Sequence, residues 1–265
     1  MHQLRNTVLV LICLLVSACS APPPNPFTPL PDPVNLPEGP RLESTATQLG
    51  ASREGHPIYA RAHGTGPRRL LVIGLIHGDE PEVFDRFDQL WLRLTTAGYG
   101  KELSLSGIAT MNPDGYEQRR RGNARGVDLN RNWPAPNFRP SRTNGPEPLS
   151  EPEAAAVHRH ILRFDPEVII VFHSTPGGPF VDPDGPSEPG ERLASAYVNA
   201  AQPIDPAWRV HADFTNPAGS LGTWYGLDQQ RTVLTVEYRP GTDPGSALSS
   251  ATAGVLGVMR EMARR

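Results

Sequence analysis

Residues 70–82 read LLVIGLIHGDEPE, and the reading of this run decides the fold. Six of the eight residues from 70 to 77 are apolar. That density suits a strand covered on both faces, as in a parallel sheet, better than a strand with one wet side. The polar groups come at its end: His77, Gly78, Asp79 and Glu80. His77 and Glu80, spaced H-x-x-E, offer an imidazole and a carboxylate from one tight turn, a donor mix that suits a borderline divalent ion such as zinc. Two ligands do not hold a metal, so the pattern calls for a third from elsewhere in the chain.

Two further runs answer it. Residues 167–173 read EVIIVFH and end in His173, and residues 232–237 read TVLTVE and end in Glu237. Each of the three runs therefore finishes in a group able to bind a metal or move a proton. Neighbouring parallel strands end along one edge of an open α/β sheet, and ligands collect there. A histidine after a strand is ordinarily a hydrogen-bonded loop residue, and H-x-x-E alone arises often by chance. The coincidence of three strand ends outweighs that reading and predicts one site. The fold expected is α/β, a single domain with a mixed, mostly parallel twisted sheet flanked by helices.

The rest of the chain is organised around that sheet. A length of 265 residues with 38% hydrophobic content suits a globular core, and the net charge of −3 supplies no basic face for nucleic acid. Residues 1–18 read as a lipoprotein signal peptide: Arg5 precedes a short apolar core, and Val16, Ser17 and Ala18 lead into Cys19 in a pattern that resembles the bacterial lipobox. The other reading is a plain signal peptide cleaved near Ala18. Cys13 leaves with the leader and Cys19 is expected to carry lipid, so no thiol remains for a disulfide. Residues 19–42 form a tether; nine prolines in 21–40 keep it extended and outside the fold. The catalytic domain then spans 43–265.

Within it, 45–50 and 57–62 predict an edge hairpin, Pro81 opens a helix to about Ala97, and 103–111 form a strand. Ser150 and Glu153 predict a capping box before a helix over 152–164. Residues 176–189, containing VDPDG, read as a Pro/Gly loop, since too few ligands are present for a calcium loop. Helices are expected over 191–201 and 245–264, and a strand over 208–214. Residues 112–136, NPDGYEQRRRGNARGVDLNRNWPAP, have little periodicity and many polar groups; such a loop inside a compact domain is more readily a working loop than a spacer.

With LGASREGHPI, IHGDE, NPDG, GVDLNRNW, FHS and VE appearing in that order, the chain resembles the zinc metallocarboxypeptidase superfamily over nearly all of 50–265. The short length, the compact arginine loop and GSLGTW look most like its bacterial murein peptide amidases. The resemblance implies one zinc ion held by His77, Glu80 and His173. It makes Glu237 the general base, although a strand-end ion pair with Arg239 is the plain alternative. It assigns Arg121 to the oxyanion, with Arg119, Arg120 and Arg125 close enough to leave the register open. Asn130 and Arg131 match the pair that grips a terminal carboxylate, and Asp128 the carboxylate that orients the first histidine. The tyrosine expected upstream of Gly219 and Ser220 is missing: Phe214 stands there, and Tyr225 follows the motif.

The function these residues imply is a lipid-anchored envelope peptidase in the periplasm, held at the outer membrane, acting as a monomer. It would cut an amide bond beside a free carboxylate, in cell-wall peptides between D-glutamate and meso-diaminopimelate. A general periplasmic metallocarboxypeptidase is the runner-up, and a murein-peptide-binding lipoprotein without catalysis the third reading. Leu221 places no charge in the specificity region, which predicts no strict preference for basic C-terminal residues.

Overall fold

The computed structural model describes residues 46–211 and 217–264. The expected leader, Cys19, the tether and the end of the strand expected over 208–214 lie outside the described residues. β1 (Ala46–Ala51) and β2 (Pro57–His63) form the anticipated antiparallel hairpin. β3 (Arg68–Ile73), β4 (Leu103–Ile108), β5 (Val168–Ser174), β6 (Phe180–Asp184), β7 (Arg209–Val210) and β8 (Thr232–Tyr238) complete one eight-stranded sheet in the order β1-β2-β4-β3-β5-β8-β6-β7. The centre, β4-β3-β5-β8, is parallel; β2 and β6 join it antiparallel on either side.

The apolar runs explain this centre. Along β3, Leu70 and Val72 face one core with α1 (Phe87–Thr95), α4 (Ser187–Ala201) and α5 (Pro244–Ala263), while Leu71 and Ile73 face a second with α3 (Pro152–Phe164). All four side chains are fully buried. Ile169 and Val171 against Ile170 and Phe172 repeat the division on β5. A strand buried on both faces needs apolar residues at every position, which is why it does not alternate.

Several expectations need correction. β3 ends at Ile73; residues 74–76 continue the buried run without strand pairing partners on both sides, so His77 stands in a turn beyond the sheet. The helix expected from Pro81 starts at Phe87, after a 3-10 turn over Phe84–Arg86, because 81–83 close turns in which Asp85 N donates to Pro81 O and Arg86 N to Val83 O. The loop at 112–136 holds α2 (Pro113–Glu117) and a 3-10 turn at Leu129–Arg131. The capping box does not form: Ser150 Oγ bonds Asn132 and Glu151, and Glu153 turns to Arg53 N and Asn123.

The loop at 176–189 contains β6, and α4 begins at Ser187. Pro183 is tolerated in β6 because β7 pairs with Phe180 and Val181 alone, leaving Pro183 at an edge. Gly185, at φ +115°, then ends the strand. A π-helical segment at Gly222–Asp228 had no counterpart in the sequence reading.

Candidate metal centre and substrate pocket

Two backbone devices position the metal-binding turn. Gly78 lies against α2 so closely that a Cβ there would sit 2.0 Å from the Gly115 carbonyl carbon. Asn112 caps α2 by accepting from Gly115 N, and its amide donates to Ile76 O (2.9 Å) and Arg121 O (3.3 Å). One side chain thus ties the turn, the helix and the arginine loop together. This is the structural content of the NPDG motif.

His77, Glu80 and His173 come together. Glu80 Oε2 lies 2.9 Å from His77 Nδ1 and 2.8 Å from His173 Nδ1, and the two Nδ1 atoms are 3.1 Å apart. All three residues are buried. Burial alone pushes the His77 imidazole down, but hydrogen bonds to Asp128 and Glu80 outweigh it and hold its pKa at about 8. Glu80 is also buried, yet the His173 and His77 imidazoles hold it well below the usual carboxylate range.

The donors fit a zinc ion by their own geometry. Two imidazole nitrogens that face each other at 3.1 Å repel unless a cation or proton lies between them, and a carboxylate oxygen completes the same small triangle. Two His and one Glu, open on one side, is the donor set of a catalytic rather than a structural zinc site. His77 also turns its Nε2 to Asp128 Oδ1 at 2.9 Å, the outer carboxylate contact that fixes the orientation of metal-binding histidines. A second acidic group, Glu54, His56 and Asp114, differs: Ser52 Oγ, His56 Nδ1 and Glu54 N already occupy the Asp114 oxygens and fasten the β1–β2 turn.

Glu237 sits beside His173 in register across β8 and β5, so both side chains leave the sheet on one face. Its Oε2 is buried without a hydrogen-bond partner, and burial pushes its carboxyl up. Arg239 pairs instead with Asp205, at 3.3 Å, which removes the strand-end ion pair considered for Glu237.

Of the four arginines in 119–125, Arg121 lines the pocket. Its Nη1 donates to Glu80 Oε1 and its Nε to Asp128 Oδ2, both at 2.9 Å. Arg119 stacks on Tyr116 and Arg125 pairs with Glu151. The 3-10 turn carries Asn130, whose Oδ1 accepts from Leu221 N, and Arg131, whose Nη1 donates to the Asn130 carbonyl. Among the described residues no carboxylate forms an ion pair with Arg131, which lines a cavity of about 210 Å³ and feels the Asp128 and Glu80 charges only from beyond contact.

The sequence reading missed the far side of this cavity. Asp182, Asp184, Ser220, Gly222 and Thr235 line it. Leu221, to which the specificity region was referred, is turned into the core. The expectation of an uncharged pocket is therefore corrected: β6 brings two carboxylates. The signal was present in the phase of FVDPD, where Asp182 and Asp184 share a face, but proline and glycine made a turn the natural reading. Tyr225 is a packing residue, its hydroxyl donating to Pro166 O at 2.7 Å. The residues around Phe214 lie outside the described residues.

The sequence is 34% identical to murein peptide amidase A of Escherichia coli K12 over 208 residues, 72% of this chain and 78% of that one. The chain belongs to the zinc carboxypeptidase family. The family model for zinc carboxypeptidases matches residues 102–180. The crystal structure of a murein-tripeptide amidase from Escherichia coli O157 superposes with a TM-score of 0.58 at 26% identity, covering 83% of this chain and 92% of that one. Thrombin-activatable fibrinolysis inhibitor, at 19% identity and a TM-score of 0.71 over 84% of this chain and 70% of that one, shares the fold. The protein is a zinc peptide hydrolase, and its cofactor is one zinc ion.

Proposed function

We propose that the protein hydrolyses an amide bond next to a free carboxylate in murein peptides, between D-glutamate and meso-diaminopimelate. The observation that carries this reading is the unpaired guanidinium of Arg131, set in the same cavity as the His77, Glu80 and His173 donors and the partnerless Glu237 carboxylate. A chain end is the ordinary source of a carboxylate for such a fork. The names of the Escherichia coli relatives support murein as the source of the peptide.

Zinc bound by His77, Glu80 and His173 supplies Lewis acidity, which activates water and polarises a carbonyl. The chain's own groups do the remainder. Arg131, joined by the Asn130 amide, receives the carboxylate of the leaving residue and sets the scissile bond against Glu237. The Glu237 carboxylate takes a proton from water and returns it to the departing amine, a task its raised pKa favours. Arg121, half-exposed beside Glu80, offsets negative charge developing on the carbonyl oxygen. Asp128 holds the His77 ring in place through Nε2.

Incubation with L-Ala-γ-D-Glu-meso-diaminopimelate and mass spectrometry of the products tests the reading: free diaminopimelate is expected, and an intact tripeptide overturns it. In Arg131→Ala, KM for that peptide should rise roughly 100-fold, the loss expected for a two-pronged charged hydrogen bond. KM for a peptide amidated at the same carboxylate should hardly move; equal effects on both would contradict the end-reading role.

The same reading includes location. The lipobox-like run before Cys19 supports a lipid anchor on the periplasmic side of the outer membrane, with a monomeric catalytic domain reaching murein on the tether. Cys19→Ser should move the protein from the membrane fraction to the soluble fraction with its specific activity unchanged. Continued sedimentation with membranes would count against the anchor.

A further inference from the structure

We propose that Asp184, with Asp182 along the way to it, is the cation-binding end of the substrate pocket, so that the residue released with the free carboxylate carries an ammonium at the end of an unbranched side chain. This deepens the amidase reading and rests on it.

The placement follows from register. β6 runs antiparallel to β8 with Phe180 opposite Glu237, Asp182 opposite Thr235 and Asp184 opposite Val233. Residues two apart on a strand share a face, and directly paired residues do too. Glu237, Thr235, Asp182 and Asp184 therefore form one row leading down the sheet from the metal donors, each step of two residues covering about 7 Å. All four line the same cavity.

The π-helical segment is shaped around the end of that row. A Cβ on Gly222 would lie 2.1 Å from Asp184 Oδ2, and one on Gly226 would lie 2.6 Å from Asp184 Cβ. Two glycines thus leave room for this carboxylate, which is 8% exposed. Burial pushes its pKa up to about 6, with Thr235 alone acting against it. A carboxylate buried beside a basic side chain would be held down. Among the described residues Asp184 forms no ion pair.

Arg131, which forms no ion pair among the described residues, lines the same cavity. Positive charge near the metal donors and negative charge farther down complement an amino acid that has an α-carboxylate and a side-chain cation. Lysine and the distal ammonium of diaminopimelate share that chemistry. A neutral side chain of the same length does not, and would leave the Asp184 carboxylate buried without a cation.

The test uses the zinc-loaded full chain and three peptides, L-Ala-γ-D-Glu-X, in which X is meso-diaminopimelate, L-lysine or L-norleucine. The expected result is a kcat/KM at least about 10-fold higher for lysine than for norleucine, chiefly through KM. In Asp184→Asn the preference should collapse while norleucine release persists, an outcome that a carboxylate merely bracing the π-helical segment would not produce. Diaminopimelate cleaved faster than lysine would add selection of the distal carboxylate to that of the ammonium. Equal rates for lysine and norleucine in the wild type, or a preference that survives in Asp184→Asn, would overturn the proposal. Calorimetric titration with free L-lysine and L-norleucine reads the same difference without hydrolysis: tighter lysine binding supports the cation site even if no peptide is cut, and equal binding overturns it. If Asp184→Asn does not fold, the wild-type ratios decide.

Discussion

Glu237→Gln should lower kcat/KM by about 10³-fold while zinc remains at one ion per chain, because the substitution removes a base and leaves the metal donors untouched. The side chain keeps its size, and the lost charge is one that burial already disfavours. Unfolding temperature should therefore stay level or rise. Loss of activity with full zinc and an unperturbed fold isolates proton transfer from metal binding. An active variant would remove Glu237 as the base.

The second large effect concerns the metal. His173→Ala leaves one imidazole and one carboxylate, and zinc affinity should fall by more than about 100-fold, beyond the 10–100-fold that altering an outer partner such as Asp128 costs. Activity at limiting zinc should disappear, and a chelator should lower the unfolding temperature of the wild type but not of the variant. Affinity also has a predictable pH dependence. In the metal-free centre His77 holds its proton up to about pH 8. Zinc requires that nitrogen free, so binding displaces the proton, and apparent affinity should fall by up to about tenfold per unit as pH drops below 8. Equilibrium dialysis between pH 6 and 9 measures the slope; a flat profile would mean that the histidine is not a ligand. These results separate the two roles, since only the histidine variant loses metal.

The central sheet was legible because its strands are buried on both faces and leave uninterrupted apolar runs, as in LLVI and VIIVF. The metal donors were legible because each follows such a run. Where the chain departs from periodicity, legibility fell. β6 has only five residues, two of them acidic and one proline, and what makes it a strand is pairing with β8, a partner far along the chain. The π-helical segment depends on Asp184 packing against Gly222, another long-range contact. The capping box failed for a similar reason: distant Asn132, Asn123 and Arg53 N compete for Ser150 and Glu153. Local patterns located the candidate metal donors and Glu237, while the cavity wall beside them is made by contacts that no short window contains.

Asn112 and the backbone contact of Gly78 with Gly115 carry one more implication. These groups are uncharged and buried, and none of them lines the substrate cavity. Yet they decide where the imidazole of His77 stands relative to the guanidinium of Arg121. A designer seeking a different cation or leaving group in this scaffold has freedom at the donors and along β6, and almost none at that silent joint. There a single added methyl would pry the ligand turn off its neighbour and dismantle the reaction centre from behind.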